Sequence, residues 1–171
     1  MKTVMETERL TLREIELEDA PFIFELMNEP PWIEFIGDRG IRTLADARGF
    51  IADRLRPSYK RDGFGFWLIE VPDPDPQPLG ICGLIKRPGL EYVDIGFALC
   101  ERHWGNGYAR EASEAVIDFA REQAGLDKLA AIVNPDNDRS ARLLESLGMQ
   151  FEGMIQLEGE DFELRLFVRD L

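Results

Sequence analysis

One stretch of the chain has the residue types and spacing of an anion cradle. Residues 101–112 read Glu-Arg-His-Trp-Gly-Asn-Gly-Tyr-Ala-Arg-Glu-Ala, so Arg102 is followed at fixed steps by Gly105 and Gly107. A strand-like run precedes the glycines, and a segment with helical periodicity follows them. Glycines at such a junction let the backbone turn tightly and let a ligand approach without a Cβ in the way. The first amides of a helix lack internal acceptors, and together with the helix dipole they favour an anion. The N–H groups of Asn106, Gly107, Tyr108 and Ala109 are therefore candidates for holding a diphosphate, with Arg102 and Arg110 adding positive charge. A tight strand-to-helix turn without a ligand uses the same glycines, so this stretch alone leaves both readings open.

Rival chemistries fit less well. No Lys-Ser or Lys-Thr follows the glycines, which excludes a P-loop. A dinucleotide fold alternates strands and helices from a first strand that carries the glycines, and that order is absent. His103 is the single histidine and has no companions for a metal site, so no metal is expected. Cys82 and Cys100 have neither the number nor the spacing of a disulfide framework and read as small apolar residues on strands.

The elements that must position the cradle follow from periodicity. Residues 9–15 alternate as a strand. Residues 18–28 and 43–59 carry helical stripes, the second with Thr43 as N-cap. Residues 65–71, 79–86 and 92–100 read as three successive strands. A stiff proline-rich loop at residues 72–78 joins the first two. Residues 106–124 form the long helix behind the glycines, ended by Gly125. A strand at 128–133, a short helix at 138–147 and strands at 149–156 and 163–168 complete the chain. Short loops imply antiparallel neighbours, and the strand–helix–strand unit across residues 92–133 implies one parallel pair. The expected fold is α/β (α+β), a single domain over residues 1–171. Its sheet is mixed and mostly antiparallel, with helices on both faces.

Composition narrows the function further. The chain has 171 residues, 44% hydrophobic and 31% charged, with a net charge of −13. That charge repels phosphate backbones and argues against nucleic acid as a partner. No apolar run is long enough to span a bilayer, and the N-terminal segment has no apolar signal core, so no membrane role and a cytoplasmic location are expected. Monomer and homodimer are equally compatible with the sequence.

Arg102-x-x-Gly105-x-Gly107 matches the Q/R-x-x-G-x-G/A signature of the GNAT superfamily of N-acetyltransferases. With VDIGFALC at residues 93–100 and NPDNDRSARLLESLGMQFEG at residues 134–153, the chain resembles the subgroup that includes ribosomal-protein N-terminal acetyltransferases. The strand and helix order is similar over nearly the whole length. The resemblance implies acetyl-CoA as acetyl donor and direct attack by a primary amine, either a protein N-terminus or a small amine. It implies that strand 92–100 splays from the following parallel strand and that the pantetheine arm enters the gap. There it pairs with the backbone of Phe97 and Leu99, near Asn134 and Asn137. A strand amide at Phe97 or Ala98 polarises the acetyl carbonyl.

Acetyl transfer to an amine sets two proton problems. An amine of pKa about 10 must lose a proton to attack, and a departing thiolate benefits from a donor. Many members of the family place a tyrosine donor seven residues after the Asn that matches Asn137; here that position is Leu144. Ser140 stands three residues after Asn137, as in the resembling subgroup, and is the candidate donor. It is equally placed to bind backbone in the first helical turn. Asp94 takes the place of a strand acid of the subgroup and is the candidate base, acting through water. An acid between Val93 and Ile95 is costly on a core strand unless paired or facing a cleft. An outward-facing strand residue is the bland alternative. Trp32, Phe35, Phe64, Phe66 and Trp67 either line the acceptor pocket or pack in the core. In the family, the first two helices and the loop between the last two strands frame the acceptor. Residues 1–34 hold nine acids against three bases, and residues 152–163 hold five acids and no base, so a cationic acceptor is expected. The competing reading is a non-catalytic acetyl-CoA sensor of the same fold.

Overall fold

The computed structural model describes residues 1–72 and 74–171. Asp73, within the expected proline-rich loop, lies outside the described residues. The chain runs β1 (Thr3–Glu6), β2 (Thr11–Glu14), α1 (Ala20–Asn28), α2 (Pro30–Phe35), α3 (Leu44–Phe50), a π-helical turn (Ile51–Leu55) and α4 (Arg56–Asp62). It continues through β3 (Phe66–Val71), β4 (Gln77–Ile85), β5 (Asp94–Leu99), α5 (Tyr108–Glu122), β6 (Lys128–Val133), α6 (Asp138–Ser146), β7 (Gln150–Gln156) and β8 (Glu163–Asp170). The strands form one sheet in the order β1-β2-β3-β4-β5-β6-β8-β7. Among the described residues every neighbouring pair is antiparallel except β5 and β6, the pair joined by the α5 crossover.

Strand alternation sends side chains to two separate cores. Trp67, Ile69, Cys82, Leu84 and Ile95 face the layer of α5 and α6, where Val116, Ile117, Ala141 and Leu144 are buried. Leu68 and Ile81 face the opposite layer and meet Phe22, Ile23 and Leu26 of α1 with Ala47 and Ile51 beyond them. Burying a side chain the size of Val116 or Ile117 stabilises the fold by roughly 1.5–3 kcal/mol. Helices therefore cover both faces, as the element order implies. No helix among the described residues is long and apolar enough to cross a membrane.

Three elements differ from expectation. The edge strand β1 and the short α2 have no counterpart in the periodicity of the sequence. The helix expected at 43–59 is present but interrupted. Thr43 caps α3 through a reciprocal pair of bonds, its hydroxyl accepting from Asp46 N–H at 3.0 Å while its own N–H donates to the Asp46 carboxylate at 2.9 Å. The π-helical turn then widens the helix before α4 resumes.

A buried ion network ties the start of this layer to the sheet. Arg13 donates to Asp19 at 2.8 and 2.9 Å and to Glu70 at 3.2 Å. These bonds join β2, β3 and the turn that opens α1.

Candidate active site

The parallel pair opens almost as soon as it forms. Asp94 and Ala130 are its one paired position, with Ala130 N–H donating to Val93 C=O at 2.9 Å. Beyond that point β5 and β6 diverge. On its other side β5 stays in register with β4, and Cys100 N–H donates to Leu79 C=O at 2.9 Å. Even-numbered residues of β5 therefore bond to β4, and Ile95, Phe97 and Leu99 turn their backbone groups towards the gap. Of the two amides expected near an acetyl carbonyl, Phe97 faces the gap and Ala98 faces β4. The Leu99 carbonyl already accepts from the Trp104 indole at 3.0 Å.

A cavity of about 1310 Å³ runs through this gap. Asp94, Phe97, Ala98, Leu99, Gly105, Gly107, Tyr108, Ala109, Asn134, Asn137 and Ser140 all line it. Residues far apart in sequence thus meet around one space. Arg102 and Asn106 do not line the cavity among the described residues. Arg102 turns away to ion-pair with Glu25, 4.0 Å from Glu29. Asn106 folds its amide back onto the carbonyls of His103 and Trp104, both at 3.2 Å. Trp32, Phe35 and Phe66 line the cavity, whereas Phe64 and Trp67 are buried in the core beneath α5 and α6.

The cradle has the geometry that its glycines permit. Gly105 and Gly107 both have φ of +79°, a left-handed conformation that L side chains rarely adopt. A Cβ at Gly105 would meet nothing within 4 Å, so the space above it is open. Gly107 caps α5 without any side-chain bond to the first amides. Those amides remain available to an anion. Arg110 lines the cavity and pairs with Glu114 at 3.0 Å. His103 lines it as well; partial burial, helped by the charge of Arg102, holds its pKa below the usual histidine value.

Asp94 opens β5 and is 1% exposed. Its Oδ2 accepts from Arg87 Nε at 2.6 Å, and Oδ1 is buried without a hydrogen-bond partner among the described residues. Burial pushes its pKa from 3.8 up to about 6, against the opposing pull of Arg87. The group is thus neither outward-facing nor fully neutralised. Ser140 sits in the first turn of α6, its N–H donating to the Asn137 side chain at 3.1 Å. That bond makes Asn137 the cap of α6. The Ser140 hydroxyl bonds to none of the described residues. Leu144, one turn on, is 1% exposed and carries no proton to donate.

Several contributors escape sequence reading. Arg9 braces the cradle from the start of the chain. It donates to Asn106 C=O at 2.9 Å and to Glu111 at 2.7 Å, and lies 4.7 Å from the Tyr108 ring centre. Glu111 also accepts from Thr7 at 2.6 Å and from Arg9 N–H at 2.9 Å. Burial alone would raise its pKa, but these bonds outweigh it and the pKa is lowered. No local pattern joins residues about a hundred positions apart. Arg87 was findable, because it lies across a predicted strand–turn–strand from Asp94. Arg139 stacks on Trp104 at 4.0 Å beside the same cavity.

The acidic frame expected around the acceptor is only partly present. Glu29, Glu34 and Glu160 line the cavity, but Glu158, Asp161 and Glu163 do not. Glu14, Glu16, Asp19 and Glu25 are held in ion pairs with Lys2, Arg56, Arg13 and Arg102.

Known proteins share this fold. The acetyltransferase (GNAT) domain family matches residues 9–150. An uncharacterized N-acetyltransferase, p20 of Bacillus licheniformis, is 33% identical over 152 residues, covering 88% of this chain and 84% of that protein. The solved structure of an acetyltransferase from Agrobacterium tumefaciens superposes with a TM-score of 0.81 at 28% identity, covering 99% of this chain and 94% of that one. RimL, a ribosomal alpha-N-protein acetyltransferase solved in complex with coenzyme A, has a TM-score of 0.82 at 16% identity, covering 99% and 98%. The last likeness is one of fold.

Proposed function

The chain belongs to the GNAT acetyltransferase family, and on that premise we propose that it uses acetyl-CoA to acetylate a primary amine by direct attack in a ternary complex. The observation that carries the reading is the continuous path from the splayed β5–β6 gap to the open cradle at Gly105 and Gly107. The residues present suit coenzyme A. The N–H groups of Gly107, Tyr108 and Ala109 would hold the diphosphate. The carbonyl of Phe97 and the N–H of Leu99, with Asn134 and Asn137 opposite, would hold the pantetheine arm. Arg102 and Asn106 support the cradle from outside the cavity.

In this reading the chain's own groups carry the proton steps. Asp94, through a water, takes the proton that an ammonium must lose before it attacks. The Phe97 N–H donates to the thioester oxygen as charge develops there. Ser140 gives its proton to sulfur as the carbon–sulfur bond breaks and the carbon–nitrogen bond forms, and recovers through water the second proton, which the acylated nitrogen sheds. The chain supplies no metal chemistry in this scheme.

A second reading, an acetyl-CoA sensor without catalysis, draws support from Leu144 in the tyrosine position. The free Ser140 hydroxyl beside the cavity favours catalysis. Calorimetric binding of acetyl-CoA, with free-thiol release measured over a panel of primary amines, tests both. Thiol release with an acetylated amine product is expected. Binding without turnover of any amine supports the sensor, and absence of binding refutes both readings.

A further inference from the structure

The charge of the cavity departs from that of the chain. Overall the protein has 33 acids against 20 lysines and arginines. Among the described residues that line the cavity, acids and cations are equal at seven each. Cations are therefore gathered into this space from a strongly acidic surface. Most of them are committed. Arg61 and Lys86 share Asp62, Arg87 pairs with Asp94, Arg110 pairs with Glu114, and Arg139 stacks on Trp104.

Arg39 and Arg54 are different. Both line the cavity, and neither has a carboxylate within 4 Å among the described residues. Both come from the layer of α2, α3 and α4, on the face of the sheet that carries Asp94. The π-helical turn bears on this directly. Phe50, Arg54, Ser58 and Arg61 all line the cavity, one face of a helix at steps of four, four and three residues. Arg54 lies within this π-helical turn, between Phe50 and Ser58 on that face. Such bulges cost hydrogen-bond geometry and recur at functional sites. Trp32 lines the same cavity, and its indole N–H is buried with no acceptor among the described residues. An uncommitted donor and two uncommitted guanidinium groups on the wall of one cavity suit an oxygen anion.

We propose that the acceptor is a small amine that also carries an oxyanion, a carboxylate or phosphate group, and that Arg54, assisted by Arg39, binds that group. The proposal rests on the acetyltransferase reading above. The anion is anchored in the helical layer, which turns the amine towards Asp94 and the β5–β6 gap. Glu34 and Glu160 on the cavity wall still favour the ammonium end, so a zwitterion satisfies both signs.

Matched pairs of amines test this: phenylalanine against phenethylamine, and phosphoethanolamine against ethanolamine. Thiol release from acetyl-CoA is measured for each, with calorimetric binding of each amine to the protein–CoA complex. The acid-bearing member of at least one pair is expected to have the higher kcat/KM, and which pair responds identifies the anion. Arg54→Gln should then raise KM for that member roughly tenfold to a hundredfold, the range for a lost charge-assisted bond, while kcat changes little. The plain amine and acetyl-CoA affinity should be unaffected. Arg54 is exposed, so the variant folds; Arg39→Gln gives an independent, smaller loss. The proposal is overturned if plain amines are preferred, or if Arg54→Gln leaves the preference intact. It is also overturned if the acid-bearing amines neither react nor bind while acetyl-CoA still binds. Failure of acetyl-CoA itself to bind would instead remove the acetyltransferase reading.

Discussion

Replacing Asp94 by asparagine should change how stability depends on pH, not only how fast the enzyme turns over. The carboxyl is buried with one oxygen unpartnered, and burial raises its pKa from 3.8 to about 6. In the unfolded chain the group returns to its ordinary value. Between those values the folded state holds more protons than the unfolded state, so stability falls as pH rises through that window. The full difference corresponds to about 3 kcal/mol, of which about 2 kcal/mol is spent between roughly pH 4.5 and pH 7.5. The carboxamide of the Asp94→Asn variant has no proton to lose. Arg87 stays charged throughout, so losing its partner shifts the variant by a constant and leaves the slope alone. Urea unfolding of parent and variant across this range measures the effect as a double difference. The stability of the parent relative to the variant should drop by about 2 kcal/mol from the acid to the neutral end. In parallel, kcat/KM of the parent should rise with pH through about 6, while the variant is slower by roughly a hundredfold or more, with no such step. Parallel stability curves would mean that Asp94 ionises at an ordinary pKa, and the reasoning from burial would fail.

Ser140→Ala should lower kcat about tenfold to a hundredfold and leave the acetyl-CoA KM within about twofold, since a proton donor acts in the transition state; equal turnover in single-turnover kinetics would reduce Ser140 to part of the α6 cap. The Cβ of Gly105→Glu meets no protein atom within 4 Å, and the variant is strained by about 1 kcal/mol at its positive φ. It should fold and bind acetyl-CoA at least about tenfold more weakly by calorimetry, because its carboxylate repels a diphosphate in the cradle. Unchanged affinity would place the diphosphate elsewhere. Cys82 and Cys100 are buried, and burial pushes both thiols up to about 12. Their thiolate fraction at pH 8 is on the order of one in ten thousand, so a disulfide thiol reagent should label neither in the folded protein and both in urea.

What the sequence disclosed depends on how local the physics is. The turn that opens α5 is legible because a positive φ before a helix selects glycine residue by residue, as at Gly105 and Gly107. The order of strands is legible because alternation and helical stripes are likewise short-range. Strand β1 is not, since its four residues are half-exposed at an edge and carry no clear alternation. Helix α2 opens on two prolines and buries no residue fully, so it leaves no stripe. The π-helical turn is invisible because it spans only Ile51–Leu55, and the four-residue step between its buried Ile51 and Leu55 also suits an ordinary α-helix. The clamp of Arg9 on Glu111 spans 102 positions, and only the folded sheet brings its ends together. The direction of Arg102 is hidden for a related reason. Its position in the motif is fixed, but the carboxylates of Glu25 and Glu29 reach it from the end of α1, outside the range of any local pattern.

The splay of β5 from β6 is where fold and function meet. A parallel ladder that stops after one pairing leaves the amide of Phe97 and the carbonyls of Ile95 and Phe97 without strand partners. Buried and unsatisfied, each such group would cost about 1–3 kcal/mol, so the arrangement persists only where water or a ligand reaches them. The cavity provides that access. Continuous pairing on the other side of β5 holds these groups at strand spacing while they wait for a partner. A pantetheine arm carries two amides along an extended chain and suits that edge better than a rigid heterocycle does. The same cavity reaches from Asp94 to the layer of α2, α3 and α4, where the π-helical turn carries Arg54. One interrupted ladder thus provides both halves of the proposed site: backbone donors for the thioester on the gap side, and a buried carboxylate with free guanidinium groups on the amine side.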